Sequence, residues 1–452
     1  MDFTDYIFTL LNNETKLAVL FLLFLAFYYF AFYRKLSFNI FDAFTIEMIS
    51  SAGAALGVYV MFVYGSPDKK YLFSFLTCEI ALFAAIFLVR HFANRYLTVN
   101  NSIGSGIILT KTQEDYLRVF FTIVFSSYVI LQLVSIKLVG FLLFSTDEGV
   151  THVNAFDSYG ALFSLLFTMN PVFTVCLFIK RKIFKKLSIF DYFCILVALF
   201  SMFMSGSKSS FAVFFSAFAV VDYKFAKLEN KNKTKIPIIF LILLFLSIIL
   251  ILTIGNISSF VEDTPLNKLF QRIAVSGDGF VIGYDDSAIR YVLNGPKKTA
   301  FGYILYPFYG IIARILGSPL RPSIVGVDLY QYAFGITDAG ANGRHNLLSV
   351  VFWGPYWGWM LSFIIGAFIG YVRFYLFEKV VCKNVFYFIF VCIVTTIVPV
   401  CITDAYLFSS TLYMLCAIFV AFLIATVIVY EVINMVKALL SNYFLVHVIK
   451  NN

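Results

Sequence analysis

Charge is scarce in this chain. Only 13% of its 452 residues are charged, against 61% hydrophobic, which leaves too little polar surface to cover a soluble fold. Histidine occurs four times and tryptophan three. No G-x-x-x-x-G-K-[ST] is present and no 20–50-residue repeat recurs, which argues against a built-in ATPase or a solenoid. The seven cysteines lie in or beside apolar runs, without C-x-x-C or a His/Cys zinc spacing, so they read as small core residues and no metal site or cofactor is expected. Alternation of period two is missing as well, and lipid leaves open backbone unsatisfied, so membrane spans must be helical.

What the chain has instead is long apolar runs. Ile236 to Ile254 carries no charge and, at about 1.5 Å per residue, covers a hydrocarbon layer of about 30 Å. Such runs predict spans at 17–33, 43–65, 71–89, 117–137, 159–179, 188–205, 209–223, 236–254, 347–372, 384–402 and 406–430. The expected class is therefore an all-α, polytopic integral membrane protein with about eleven spans, ten to twelve as bounds. Residues 1–254 hold spans one to eight, 255–345 a large outer loop, and 346–452 the last three spans and a tail. The first apolar run is long, follows acidic residues and lacks a small-residue cleavage pattern, so it reads as a span and not a cleaved signal.

Lysine and arginine collect after odd-numbered spans: Arg34 and Lys35, then Arg90, Arg95 and Lys111, then "KRKIFKK" at 180–186, the lysines of "DYKFAKLENKNKTK", and Arg373, Lys379 and Lys383. These loops should be cytoplasmic, with the N-terminus outside and the C-terminus inside. The net charge of +9 follows from this topology and anionic lipid headgroups, so nucleic acid is an unnecessary partner.

Gly255 to His345 differs from the rest. It holds half of the ten prolines, about half of the glycines, and the apolar "FGYILYPFYGIIARIL" of Phe301 to Leu316, where Pro307 and Gly310 suit an interfacial helix pair. It also contains Arg272, Arg290, Arg314, Arg321 and Arg344 but only three lysines, against the positive-inside rule. Arginine grips phosphate or carboxylate with a planar fork, so the set points to an anionic, lipid-linked ligand, although individual arginines have local acids to pair with.

The loop ends in "GRHNLLSVVFWGPYWGW", where His345 sits between Arg344 and Asn346. An imidazole so placed is a candidate general base at the membrane edge, with Asn346 orienting the ring and Arg344 keeping it neutral. The plainer reading is a helix start beside an aromatic belt of Trp353, Trp357 and Trp359. His91, His152 and His447 are weaker candidates. Lys208, in the tight turn "MSGSKSS", is either a phosphate ligand or a snorkelling lysine.

These residues resemble the O-antigen polymerase (Wzy-type) and ligase superfamily of bacterial envelope enzymes. "SGSK" is similar to that group's "SGS[RK]" turn, "LFQRIAVSGDG" with "DDSAIRYVL" to its paired-arginine segment at Arg272 and Arg290, and "RHNLLSVVFWG" to its H-N-x-x-L…G signature at His345 and Asn346. Lys208 stands where arginine is usual, and Trp353 where ligases often have an acid.

The resemblance implies a GT-C-like membrane glycosyltransferase in the bacterial inner membrane. It would act at the periplasmic face on undecaprenyl-pyrophosphate-linked oligosaccharides, with a separate chain-length regulator as a partner. No D-x-D occurs, so a metal-bound nucleotide sugar is not suggested. On this reading His345 deprotonates the acceptor hydroxyl, while Arg272, Arg290, Arg314 or Arg321, with Lys208, hold the leaving pyrophosphate. The alternatives are an O-antigen ligase, with lipid A–core as acceptor, and a flippase, for which Asp42, Glu47, Glu79, Asp191 and Asp222 would form a proton path.

Overall fold

The computed structural model describes residues 3–65, 67–98, 109–140, 152–204, 208–229, 275–294, 299–315, 324–335, 340–379 and 384–450. Among these residues every regular element is helical. Seven helical segments are long and apolar enough to cross a membrane: Thr15–Leu36, Ala43–Tyr64, Lys69–Tyr96, Lys111–Leu138, His345–Lys379, Val385–Ile402 and Ala405–Leu439. The expected spans at 159–179, 188–205 and 209–223 fall in the helices His152–Phe184, Ile189–Met204 and Lys208–Leu228, outside those seven. The run at 236–254 lies outside the described residues.

In chain order the elements used below are α1 (Phe3–Asn12), α2 (Glu14–Tyr28), α3 (Ala43–Tyr64), α4 (Lys69–Thr98), α5 (Asp278–Gly283), α6 (Asp286–Leu293), α7 (Ala300–Ile315), α8 (Val325–Phe334), α9 (His345–Gly370) and α10 (Ala405–Lys450). Asp42 caps α3 by accepting from the Phe44 N–H, as a short acidic side chain does at a helix start.

The expected span at 347–372 falls in one of these seven segments, but the structure breaks it at Gly354: α9 is a hairpin. Gly354 has φ +77° and ψ 169°, a region open in practice only to glycine, and Pro355 follows, suited to the first turn of a new helix because it has no N–H to lose. Ser349 on the first arm meets Ser362 on the second at 2.8 Å. Gly358 lies so close that a Cβ there would be 2.9 Å from the Ser349 carbonyl. The arms therefore run antiparallel. Trp353, Trp357 and Trp359 cluster at the exposed tip, the arrangement of an interfacial anchor. Gly354→Ala is expected to cost about 1–3 kcal/mol in a thermal unfolding series in detergent.

The second arm packs along α4 through small residues one turn apart: Gly366 against the Leu82 backbone and Gly370 against Ile86 and Val89. Small residues let backbones approach where lipid supplies no hydrophobic drive between helices. The helix pair expected over Phe301 to Leu316 is instead one helix, α7, with Pro307 inside it. Rings on either side of the proline, Tyr303 against Tyr406 and Phe308 against Tyr413, hold it to α10, so the lost backbone hydrogen bond does not end the helix.

Three of the buried acids are held in ion pairs. Arg373 pairs with Asp42, Lys180 with Asp191 at 2.6 Å, and Lys182 with Asp222 at 2.6 Å. Three of the five acids considered for a proton path are thus structural. Of the cysteines described, five are buried and Cys416 is exposed.

Candidate functional site

α4 runs from Lys70, which holds Asp286 of the loop segment at 2.7 Å, to Arg90, which donates to the Lys35 carbonyl. Glu79 lies about 13 Å from the first and about 16 Å from the second, at 1.5 Å per residue. It is therefore buried midway through the bundle, in an otherwise apolar stretch. The first arm of α9 descends beside it, because the hairpin tip sits level with the start of α4, where the rings of Tyr356 and Phe73 meet at 6.5 Å.

This geometry moves "RHN" from the membrane edge into the bundle. Arg344, His345 and Asn346 are at most 1% exposed. Arg344 donates from Nη1 to Ser50 at 2.9 Å and from Nη2 to Ser51 at 3.1 Å, both on α3, and its Nη2 lies 3.7 Å from Glu79 Oε1. His345 Nδ1 meets Ser362 at 2.9 Å, while Nε2 lies 3.4 Å from Glu79 Oε1 without hydrogen-bond alignment. The orienting role expected of Asn346 is corrected: its Nδ2 donates to Glu79 Oε1 at 3.0 Å, and Ser362 orients His345 in its place. Tyr28 completes the cluster, donating to Glu79 Oε2 at 3.2 Å. The amino end of a helical arm suits a carboxylate, since unpaired N–H groups point outward there.

The loop segment covers this cluster. Gly277 packs against Gly57 of α3 closely enough that a Cβ on either would be within 2.6 Å of the other's Cα. Phe280 packs edge-on against Phe75, and Tyr284 stacks on Tyr71 at 5.1 Å. The Tyr284 hydroxyl, buried and without a partner, lies within electrostatic reach of Cys78, Glu79 and Arg344. Hydrogen bonds from Lys70 and Tyr71 hold the Asp286 carboxyl below its ordinary range.

Asp278, at the start of α5, accepts from Tyr330 at 2.8 Å and from the Gly279 N–H. Burial nonetheless pushes its carboxyl up to about 6. That is above an unfolded aspartate at about 3.9, so its contribution to stability is fully present below about pH 4 and lost as the pH rises through 6. Amide exchange across 275–294, corrected for intrinsic rates, is expected to be slower at about pH 5 than at about pH 8. Equal protection at both would mean that Asp278 does not titrate there.

Of the eight site residues expected from sequence, the structure brings three together: Arg344, His345 and Asn346. Arg290 is exposed on α6 and donates from Nε to the Asp286 carbonyl at 3.3 Å, apart from the cluster. Arg272 and Arg321 lie outside the described residues, as do the side chains of Lys208 and Arg314. Sequence reasoning missed Ser50, Ser51, Ser362 and Tyr284, and placed Glu79 only on a transport path. A carboxylate alone in an apolar run is itself a signal of an intramembrane site. The dipeptide Gly354-Pro355 was the signal for the hairpin that brings His345 to it.

Four buried polar atoms in this region have no hydrogen-bond partner: Arg344 Nε, His345 Nε2, Tyr284 Oη and Glu47 Oε2. Among the described residues no group of three or more His, Cys, Asp or Glu is placed to hold a metal. No family model, curated protein or solved structure matches the chain. Composition, fold and site together define its class: an all-helical membrane protein with a buried Arg–His–Glu cluster at the root of a helical hairpin.

Proposed function

We propose that this chain is a membrane glycosyltransferase that polymerises undecaprenyl-pyrophosphate-linked oligosaccharide units, at the outer face of the bacterial inner membrane. About eleven spans in a GT-C-like arrangement, N-terminus outside and C-terminus cytoplasmic, complete this reading. The observation that carries it is Arg344. Its guanidinium is fully buried, its Nη atoms donate to serine hydroxyls, and its Nε has no acceptor. Its one carboxylate neighbour, Glu79 at 3.7 Å, is beyond hydrogen-bond distance, so the buried cation can receive a further anion, and the next residue presents an imidazole nitrogen without a hydrogen-bond partner.

In the reaction His345 takes the acceptor hydroxyl proton, the oxygen attacks the anomeric carbon, and the bond to the pyrophosphate breaks. Arg344 receives the developing charge. Lys208, Arg272, Arg314 and Arg321 would hold the rest of the pyrophosphate, while Arg290, exposed on α6 and apart from the cluster, is not placed to join them. The ligase reading uses the same groups with lipid A–core as acceptor. A transporter for the same lipids is the second reading, favoured by the depth of Glu79.

The test is a surface-polysaccharide gel from a strain lacking its own polymerase, with a matched repeat unit and chain-length regulator. A ladder from the intact chain should collapse to one core-plus-one-unit band with His345→Ala or Arg344→Ala. A normal ladder from both variants would sink the mechanism. No ladder from the intact chain, with proton-gradient-dependent movement of lipid-linked sugar in liposomes, would establish the transporter.

A further inference from the structure

Each serine hydroxyl has one proton to give, and this settles which nitrogen of His345 is free. Ser349 donates its proton to the His345 carbonyl at 2.6 Å. Its oxygen therefore accepts in the 2.8 Å contact with Ser362, which uses the only proton of Ser362. Ser362 in turn accepts in the 2.9 Å contact with His345, so Nδ1 carries the hydrogen. The Cys78 thiol beside these serines is a weak donor and leaves the relay in place. Nε2 is then the nitrogen that gains and loses a proton. It is fully buried, has no hydrogen-bond partner and faces Glu79 Oε1 at 3.4 Å.

We infer that Glu79 is the positioning residue of the site, holding the charge that His345 Nε2 acquires when it takes the acceptor hydroxyl proton. The inference rests on the glycosyl-transfer reading. In that step the O–H proton passes to Nε2, and the oxygen's electron pair forms the bond to the anomeric carbon. The anomeric C–O bond breaks with its pair on the pyrophosphate oxygen. The proton returns from Nε2 to water after the products leave.

Glu79 is itself held from three directions: by Tyr28 at 3.2 Å, by Asn346 at 3.0 Å, and by Arg344 at 3.7 Å. The other titratable groups facing the pair and Arg344 are Tyr33 and Glu47 of the neighbouring helices, Cys78 of α4 and Tyr284 of the loop segment. Glu79 is the acid in contact with His345. Ser362 fixes the ring from Nδ1, and the Glu79 carboxylate, 3.4 Å from Nε2, offsets the imidazolium charge that forms there.

The full-length chain, labelled with ¹⁵N-histidine in nanodiscs, provides a test that does not depend on activity. It has only four histidines, and the His345 signal is the one lost in His345→Gln. The expected spectrum has a protonated Nδ1, with Nε2 as the nitrogen that titrates. Ser362→Ala should release the lock and shift the population toward a hydrogen on Nε2. An intact chain with a bare Nδ1 would overturn the relay.

In the polymerisation assay Glu79→Gln should lower kcat by about 100-fold with KM for the acceptor within about threefold, and Glu79→Asp should recover part of the loss. Ser362→Ala, which removes one oxygen, covers the case in which Glu79→Gln does not fold, and it too should lower kcat and not raise KM. Full activity in Glu79→Gln, with none in His345→Ala, would refute the role of Glu79 and leave glycosyl transfer standing. No polymer from the intact chain would overturn the reaction and, with it, the role given to Glu79.

Discussion

Replacing Arg373 by methionine is expected to destabilise the protein by about 3–5 kcal/mol, because it strands a buried carboxylate. Asp42 and Arg373 are both fully buried and hydrogen-bonded to each other. Asp42 also accepts from the Phe38 N–H at 2.7 Å and the Phe44 N–H at 3.3 Å. The guanidinium lies 4.2 Å from the Phe38 ring centre and 4.4 Å from that of Phe44, and donates to the Thr395 carbonyl at 3.4 Å. Removing the cation leaves the carboxylate with backbone donors alone. The double variant Asp42→Asn with Arg373→Met removes both charges and should regain most of the loss, since replacing a buried pair outright is often nearly neutral. Thermal unfolding in detergent of the two single variants and the double variant gives the coupling directly. Additive losses would mean that the two charges do not sense each other.

Gly366→Leu should have a comparable effect for a steric reason. A Cβ at this position would lie 2.3 Å from the Leu82 carbonyl oxygen and 3.0 Å from Leu82 Cα. These are backbone atoms, so no side chain can turn aside and the two helices must separate. Overpacking typically costs about 1–3 kcal/mol, and a backbone-to-backbone clash belongs at or above the upper end. Separation would also pull α9, with His345 and Ser362, away from Glu79 on α4. Gly302→Ala, which meets only the Thr299 hydroxyl, at 3.0 Å, is the control and should stay within about 1 kcal/mol of the parent. An intact melting temperature in Gly366→Leu would show that α4 and α9 are not in close contact.

Much of the architecture was readable along the chain. The apolar run at 43–65 matches α3 closely, and those at 71–89 and 117–137 fall inside the longer helices Lys69–Thr98 and Lys111–Val139, since a span is decided by about 20 consecutive residues. The small residues Gly358, Ser362, Gly366 and Gly370 recur every four positions, a readable signal for close packing. Gly354-Pro355 is equally visible as a break, but the apolar residues on both sides read as one continuous span. The site was legible only in part. Arg344 and His345 stood out by residue type, but nothing in their surroundings showed that they lie halfway through the bundle.

The sequence by itself determined that this is an all-helical membrane protein, because hydrophobicity and helix length are local properties and lipid permits few alternatives. Tertiary structure alone decided which polar groups meet. Asn346 and Glu79 are 267 positions apart, and the relay through Ser349 and Ser362 exists only because the hairpin folds back at Gly354. Buried charge is stable only beside a partner, so the packing that joins distant helices settles whether each acid becomes a structural strut, as Asp42 does, or part of a reactive cluster, as Glu79 does.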